Sequence, residues 1–121
     1  MTVFTEGRHT AEFLVSEANG HRSREAITVA SGADLQAGTV VGKLTSGGQY
    51  KAITPGTSDG AQNAAGVLFK GTRTASATEE GTIIARDAEV NGAHLVWPNG
   101  ISDGNKNTAI AALAALGIIV R

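Results

Sequence analysis

Three histidines, His9, His21 and His94, are the first candidates for metal ligands or general bases in this chain of 121 residues. Their spacing matches no ligand pattern such as His-x-x-x-His, and the chain has no cysteine that could complete a metal site. We therefore expect all three to be surface or lightly packed residues, and we expect neither a metal centre nor a cofactor.

Serine and carboxylate side chains are explained better by turns than by catalysis. No serine lies in a Gly-x-Ser-x-Gly motif, and Ser31 and Ser46 each precede a glycine, as turn residues do. Glu79 and Glu80 are adjacent in a polar segment, which favours a solvated pair over an acid–base dyad. A small hydrolase would need a nucleophile paired with a base, and the sequence offers none. We expect a protein without enzymatic activity.

Charge, hydropathy and cysteine content narrow the class of protein further. Lys and Arg number 10 against 11 Asp and Glu, so the chain lacks the basic excess expected of a nucleic-acid-binding protein. No apolar run approaches the about 18 residues of a membrane span. The N-terminus has no basic region followed by an apolar block, which predicts no secretory signal. The lack of cysteine fits synthesis in a reducing cytoplasm.

Small apolar residues dominate the hydrophobic content. Hydrophobic residues make up 41% of the chain, but aromatic residues only 4%, and there are 16 glycines. A core of alanine and valine buries less apolar area per residue than one of leucine and phenylalanine. We therefore expect contacts beyond the single chain, and self-association would supply them.

Residues 1–26 are predicted to form an N-terminal arm. The segment is densely charged and balanced in sign, shows no helical periodicity and contains the turn signal Asn19-Gly20. We expect a flexible or extended arm with one short strand that a partner orders. Its apolar residues are the candidates for contacting that partner, and they are Val3, Phe4, Phe13, Leu14 and Val15.

Residues 27–121 are predicted to form a single β-rich domain. Gly47-Gly48 is typical of a hairpin turn, and residues 66–69 are apolar enough for a central strand. Turn signals recur about every ten residues, as in small barrels and sandwiches. The apolar runs between them predict strands over 27–29, 40–45, 50–53, 66–69, 81–90 (one strand that could bend), 94–97 and 118–120.

One helix is predicted, over about residues 106–116. Alanine and leucine are strong helix formers, and the segment contains neither glycine nor proline. Asn105 or Asn107 could cap its start, and Gly117 suits the left-handed position after its end. The predicted fold is mainly β, a small and partly open β-barrel or sandwich with one C-terminal α-helix and the N-terminal arm.

An ordered set of short motifs resembles a known family. Its pieces are residues 37–44, 64–68, 81–82 and the pair Trp97-Pro98 before the alanine-rich helix, within about residues 33–116. Together they resemble the head decoration proteins of the lambda type, small trimeric cement proteins of tailed-phage capsids. The arm here is longer than the lambda-type pattern, and a terminal strand follows the helix.

The resemblance implies a function without catalysis. It implies a homotrimer that binds the local three-fold positions of the expanded head, on the outer surface of the virion, and stabilises the shell against the pressure of packaged DNA. In this family the arm engages the major capsid protein. The balanced charge and the lack of a long apolar run predict no direct nucleic-acid partner and no membrane. Synthesis would take place in the bacterial host cytoplasm. Trp97 and Pro98 are candidates for a structural anchor or interface.

A different class remains open as an alternative. The chain could be a small ligand-binding or carbohydrate-binding β module of a phage tail or fibre. Such a module would need an exposed aromatic platform, and we expect the core to take Phe69 and Trp97. The remaining aromatic residues are Phe4, Phe13 and Tyr50.

Overall fold

The computed structural model describes residues 9–121. This part of the chain contains strands, a short 3₁₀ helix over Gly92–His94 and one α-helix, α1, over Asp103–Ala115. The strands are β1 (Leu14–Glu17), β2 (Arg24–Val29), β3 (Val40–Lys43), β4 (Tyr50–Ala52), β5 (Gly66–Leu68), β6 (Glu79–Ile84), β7 (Ala88–Val90) and β8 (Ile118–Val120).

Five strands close into a barrel in the order β2-β4-β3-β5-β6. The longest ladder joins β2 and β6, antiparallel from Arg24 opposite Ile84 to Val29 opposite Glu79. The barrel closes between β2 and β4, which run parallel and share the single register pair Val29 and Tyr50. The sequence predicted a mainly β fold with a small, partly open barrel. The observed barrel is closed, and this seam is its narrowest ladder.

The barrel interior is a narrow apolar core. Glycine is required at two strand positions that face this core. A Cβ at Gly66 would lie 2.9 Å from Cδ1 of Ile83, and a Cβ at Gly81 would lie 3.2 Å from Cγ2 of Val29. The glycine-rich composition therefore has a packing function in the barrel. The buried side chains of this core are Ile27, Val29, Val41, Tyr50, Leu68, Ile83 and Ala85.

A second core lies between the barrel and a layer formed by α1 and a second sheet. That sheet has the order β1-β7-β8, with β1 antiparallel and β8 parallel to the central strand β7. The predicted terminal strand is thus confirmed, and it pairs within its own chain. The buried side chains of the second core are Phe13, Val40, Ile53, Ala64, Val67, Ile84, Ala88, Val90, Leu95, Ala109, Leu113 and Ile118.

Helix α1 begins three residues before its predicted start. Its N-cap is Ser102, whose side chain accepts a hydrogen bond from the main-chain N–H of Asn105, so the prediction of Asn105 or Asn107 as the cap was wrong. Ser102 is the residue with extended backbone in front of the first turn, which is the geometry that a cap requires. Gly117 has φ +88° and occupies the predicted left-handed position after the helix.

Several strand predictions are confirmed and two were wrong. Gly47 and Gly48, both with positive φ, turn the β3–β4 hairpin, and β5 is fully buried between β3 and β6. The predicted strand 81–90 is instead two strands, because Asp87 at φ +52° directs the chain from the barrel into the second sheet. The predicted strand 94–97 is replaced by the 3₁₀ helix and one bridge, Thr39 to Val96.

The folded body extends into the predicted arm. Residues 9–26 contain β1 and the start of β2, and Phe13 is only 1% exposed. The main-chain oxygen of Phe13 accepts a hydrogen bond from the N–H of Asn91, and Ala11 donates to Phe69. Residues 9–26 fold onto the body because burial of the large apolar area of Phe13 is more favourable than leaving this charged segment extended in solvent.

Candidate interaction surface

The residues predicted to contact a partner occupy three different environments. Val3 and Phe4 lie outside the described residues. Phe13 is buried in the second core, Leu14 is half-buried against it, and Val15 is 55% exposed. Among the described members of the set, Val15 is therefore the one whose side chain is open to a partner.

Phe13 is held in place by the local backbone. Gly38, at φ +92°, lies against its ring: a Cβ at this position would be 3.5 Å from Cδ1 of Phe13 and 2.8 Å from the main-chain oxygen of His94. The close approach of this loop needs glycine, which leaves room for the ring. Phe13 thus anchors β1 to the second core and is not a free contact residue.

An ionic cluster fastens β1 to β2. The Glu17 carboxylate accepts hydrogen bonds from the hydroxyl of Ser23, which is fully buried, and from Nε and Nη2 of Arg24. The hydrogen bond from Arg24 is the largest cause that lowers the pKa of Glu17. The Arg24 guanidinium also lies 4.3 Å from the centroid of the Phe69 ring. This cluster was not predicted from the sequence, where Glu17 and Arg24 belong to the charged residues of the arm, and their opposite charges were the only signal.

The exposed large hydrophobic residues of the described chain belong to the second sheet and to the helix end that precedes β8. Val15 belongs to β1, Ile119 to β8, and Leu116 caps α1 just before β8, with exposed fractions of 55%, 39% and 41%. We call Val15, Ile119 and Leu116 the apolar patch. These three side chains are the exposed large apolar groups from which a contact on this side of the described chain could be built.

A polar network crosses the same sheet. The Glu89 carboxylate on β7 accepts hydrogen bonds from the hydroxyl of Ser16 on β1 and, at 2.9 Å, from Nη2 of Arg121. These hydrogen bonds, with the one from Arg121 contributing most, lower the pKa of Glu89. The network links β1, β7 and the residue after β8, so the sheet presents fixed charges beside its apolar side chains.

Trp97 and Pro98 are half-buried, and Trp97 packs against the second core, as the half-buried Phe69 also does. The prediction that the core takes Phe69 and Trp97 holds only in part, since both pack against it from its rim. Nζ of Lys106 lies 5.5 Å from the centroid of the Trp97 ring. A groove of ≈ 320 Å³ lies beside Trp97 and Pro98.

Aromatic exposure bears on the carbohydrate-binding alternative. Of the aromatic side chains within residues 9–121, Phe13 and Tyr50 are buried and Phe69 and Trp97 are half-buried. Cations lie over the rings of the latter two. The described part of the chain therefore presents no fully exposed aromatic platform.

Chemistry-bearing residues do not converge in the described structure. His9 and His21 are exposed and His94 is half-buried, which confirms the prediction of surface or lightly packed histidines. Residues 9–121 contain no group of three or more His, Asp or Glu side chains placed to hold a metal ion. Over the same residues, no helix has the length and apolar content needed to cross a membrane.

These elements define a small, mainly β protein in which a closed barrel is backed by a second sheet and one helix. A family comparison then identifies the group: residues 3–118 match the family model of the bacteriophage lambda head decoration protein D. The match spans nearly the whole chain, and the chain belongs to this family. The comparison with curated proteins finds no match.

Family membership confirms the resemblance found in the sequence. The family is one of structural capsid decoration proteins and not an enzyme family, and it supports a capsid decoration role for this chain. It also implies association with the phage capsid and a location on the capsid surface.

Proposed function

We propose that this protein binds the expanded phage head as a homotrimer at local three-fold positions and stabilises the shell against the pressure of packaged DNA. The partner is the major capsid protein, and the protein reaches the virion surface after synthesis in the bacterial host cytoplasm. It contacts neither nucleic acid nor membrane directly. The family match over residues 3–118 carries this proposal.

The N-terminal contact is made by residues that precede or flank β1. Val3 and Phe4 supply apolar side chains, and the arm adds as a strand to a sheet edge of the shell protein. Main-chain hydrogen bonds then give affinity, and alternate side chains give specificity. Val15, 55% exposed on β1, extends this contact onto the folded body, where the buried Phe13 and half-buried Leu14 support it.

A trimer binds the shell more tightly than a single arm would. The three arms of one trimer bind the same shell. Once the first arm is bound, the effective concentration of the other two at their own binding sites is raised. A trimer that holds several shell subunits resists their separation. The free energy of its binding to the shell therefore adds to shell stability. Trp97 and Pro98 would act as a structural anchor or as part of the interface between subunits.

Deletion of residues 1–8 tests the arm. We expect the truncated protein to fold, because the described body begins with its own contacts from Ala11 onward, and to lose binding to expanded heads. Co-sedimentation with purified heads measures the binding. Saturation of heads by the truncated protein would overturn the role of the arm.

Substitution on the body gives a matched pair. Val15→Asp places a charge at an exposed position and should weaken head binding while leaving the fold intact. Ser46→Asp, which likewise adds one negative charge at an exposed neutral residue but lies in the β3–β4 hairpin outside the apolar patch, should bind as the unchanged protein does. Equal binding by both variants would remove Val15 from the contact.

The oligomeric state is tested by size-exclusion chromatography with light scattering. A mass near three times the 12.3 kDa of the chain supports the trimer, and a monomer at all concentrations contradicts it. Stabilisation is tested on the heads themselves: decorated heads should retain packaged DNA at temperatures at which undecorated heads release it.

A further inference from the structure

The chain contains three Asn-Gly pairs, and the structure places them in unlike environments. They are Asn19-Gly20, Asn91-Gly92 and Asn99-Gly100. Asparagine followed by glycine is the dipeptide most prone to spontaneous deamidation, because glycine has no Cβ to hinder the approach of its own main-chain nitrogen to the asparagine side chain. The local structure decides which of the three can react.

We propose that Asn19 and Asn99 are spontaneous deamidation sites of the folded protein, and that the fold protects Asn91. The reaction needs no enzyme and only water as a co-reactant. It is independent of the proposed function.

The chemistry follows from the Asn-Gly unit itself. The main-chain nitrogen of the glycine loses its proton to solvent and attacks Cγ of the asparagine. A C–N bond forms and closes a succinimide ring, the bond from Cγ to the amide nitrogen breaks, and ammonia leaves with a proton from water. Water then opens either ring carbonyl and yields aspartate or isoaspartate, with no oxidation or reduction.

The surroundings of Asn99 and Asn19 leave both reacting groups accessible. Asn99 and Gly100 are both exposed in the turn before α1, with Gly100 at φ +75°. Asn19 and Gly20 are exposed in the turn between β1 and β2, with Gly20 at φ +74°. A Cβ on either glycine would meet no atom within 4 Å, so no neighbouring group packs against that side of either glycine. Within residues 9–121, no hydrogen bond engages the main-chain N–H of Gly20 or Gly100.

Asn91 is held away from the reaction by hydrogen bonds at both reacting groups. The attacking nitrogen, that of Gly92, donates to the main-chain oxygen of Arg121 at 3.0 Å. The side-chain oxygen of Asn91 accepts from the N–H of Ala93 at 3.0 Å as the cap of the 3₁₀ helix. Both residues are half-buried, and a Cβ at Gly92 would lie 2.9 Å from Cγ1 of Val120. Ring closure requires these contacts to break first.

The consequence of the reaction is local and cumulative. Each event adds a negative charge to a chain whose net charge is −1. The isoaspartate product also inserts a methylene into the main chain. At Asn99 this occurs between Trp97-Pro98 and Ser102, the cap of α1. Protein that persists for long periods would therefore accumulate charge variants at these two positions.

Peptide mapping by mass spectrometry after incubation at mildly alkaline pH tests the proposal on the full chain. In the folded protein, conversion at Asn19 and Asn99 should exceed that at Asn91 by about tenfold or more, since one or two hydrogen bonds must break at Asn91. In urea, where the protecting contacts are absent, all three should convert at comparable rates. Similar conversion of Asn91 and Asn99 in the folded protein would overturn the proposal, as would unreacted Asn19 and Asn99.

Two variants separate the hydrogen bond from the side chain that lies beside it. Removal of residue 121 deletes the acceptor of the Gly92 N–H and should raise conversion at Asn91. Arg121→Ala keeps the main-chain acceptor but loses the ion pair with Glu89, and Asn91 should stay protected. Equal conversion in the two variants contradicts the assigned protection.

Discussion

At the scale of single residues, Glu17 joins the first strand to the barrel. Its carboxylate accepts hydrogen bonds from the buried Ser23 hydroxyl and from the Arg24 guanidinium. These hydrogen bonds favour the charged form in the folded state and lower the pKa of Glu17. Because the pKa in the folded state is below its ordinary value of 4.5, the ionised group stabilises the fold above that pH. This contribution is lost as the pH falls through the lowered value.

Glu17→Gln should therefore reduce the free energy of unfolding at neutral pH by about 1 kcal/mol, allowing for partial solvent screening. It should also flatten the loss of stability with acid. Urea denaturation at neutral and acidic pH measures both effects. Glu89→Gln, at the more exposed pair with Arg121, serves as the control and should change little. An unchanged acid profile in Glu17→Gln would contradict the assignment.

At the scale of elements, local patterns predicted those parts of the fold that depend on near neighbours. The Gly47-Gly48 hairpin, the buried β5 and the end of α1 at Gly117 were all predicted from the sequence. The division of 81–90 into β6 and β7 was not, because it occurs at the positive φ of Asp87, whose main-chain oxygen accepts a hydrogen bond from the N–H of Ala18, a residue distant in sequence. Phe13 was assigned to the arm for the same reason: its burial depends on Gly38, which is distant in sequence.

The start of α1 can be tested by two matched substitutions. Ser102→Ala removes the oxygen that accepts from Asn105 and should cost about 1 kcal/mol in the free energy of unfolding. Asn107→Ala lies inside the helix and should cost nothing, because alanine is the better helix former. Thermal denaturation measures both. A larger loss for Asn107→Ala would return the cap to the position expected from the sequence.

The barrel strands can be tested by adding one methyl group. Gly66→Ala should destabilise the protein, since its Cβ would lie 2.7 Å from the main-chain oxygen of Ile84. Gly104→Ala in the first turn of α1 meets nothing closer than 4.0 Å and should stabilise the helix by up to about 1 kcal/mol. Urea titration of both variants gives the comparison, and a neutral Gly66→Ala would mean that the barrel is looser than described.

At the scale of the whole molecule, the two cores share their strands. Val40 and Val41, Val67 and Leu68, and Ile83 and Ile84 are neighbours in sequence whose side chains enter opposite cores. Each of β3, β5 and β6 therefore contributes to both cores, and neither core can be lost without disturbing the other.

This sharing predicts a single cooperative transition. Leu113→Ala in the second core and Leu68→Ala in the barrel should each lower the free energy of unfolding by about 2–5 kcal/mol. Each variant should still unfold in one step when followed by Trp97 fluorescence and by circular dichroism. Separate transitions by the two probes would show that the layers are independent.

The position of β7 has a consequence for how quickly the native state is reached. Its two neighbours are β1, from the start of the described chain, and β8, from its end, so the second sheet is assembled from distant segments. Strand pairings between residues far apart in sequence lose loop-closure entropy before the contacts between the strands can stabilise them. The pairing of β1 with β7 joins residues farther apart in sequence than the β2–β6 ladder of the barrel does, Leu14 with Val90 against Arg24 with Ile84. Strand β1 should therefore join the sheet after the barrel has formed, and one edge of β7 stays unpaired until then.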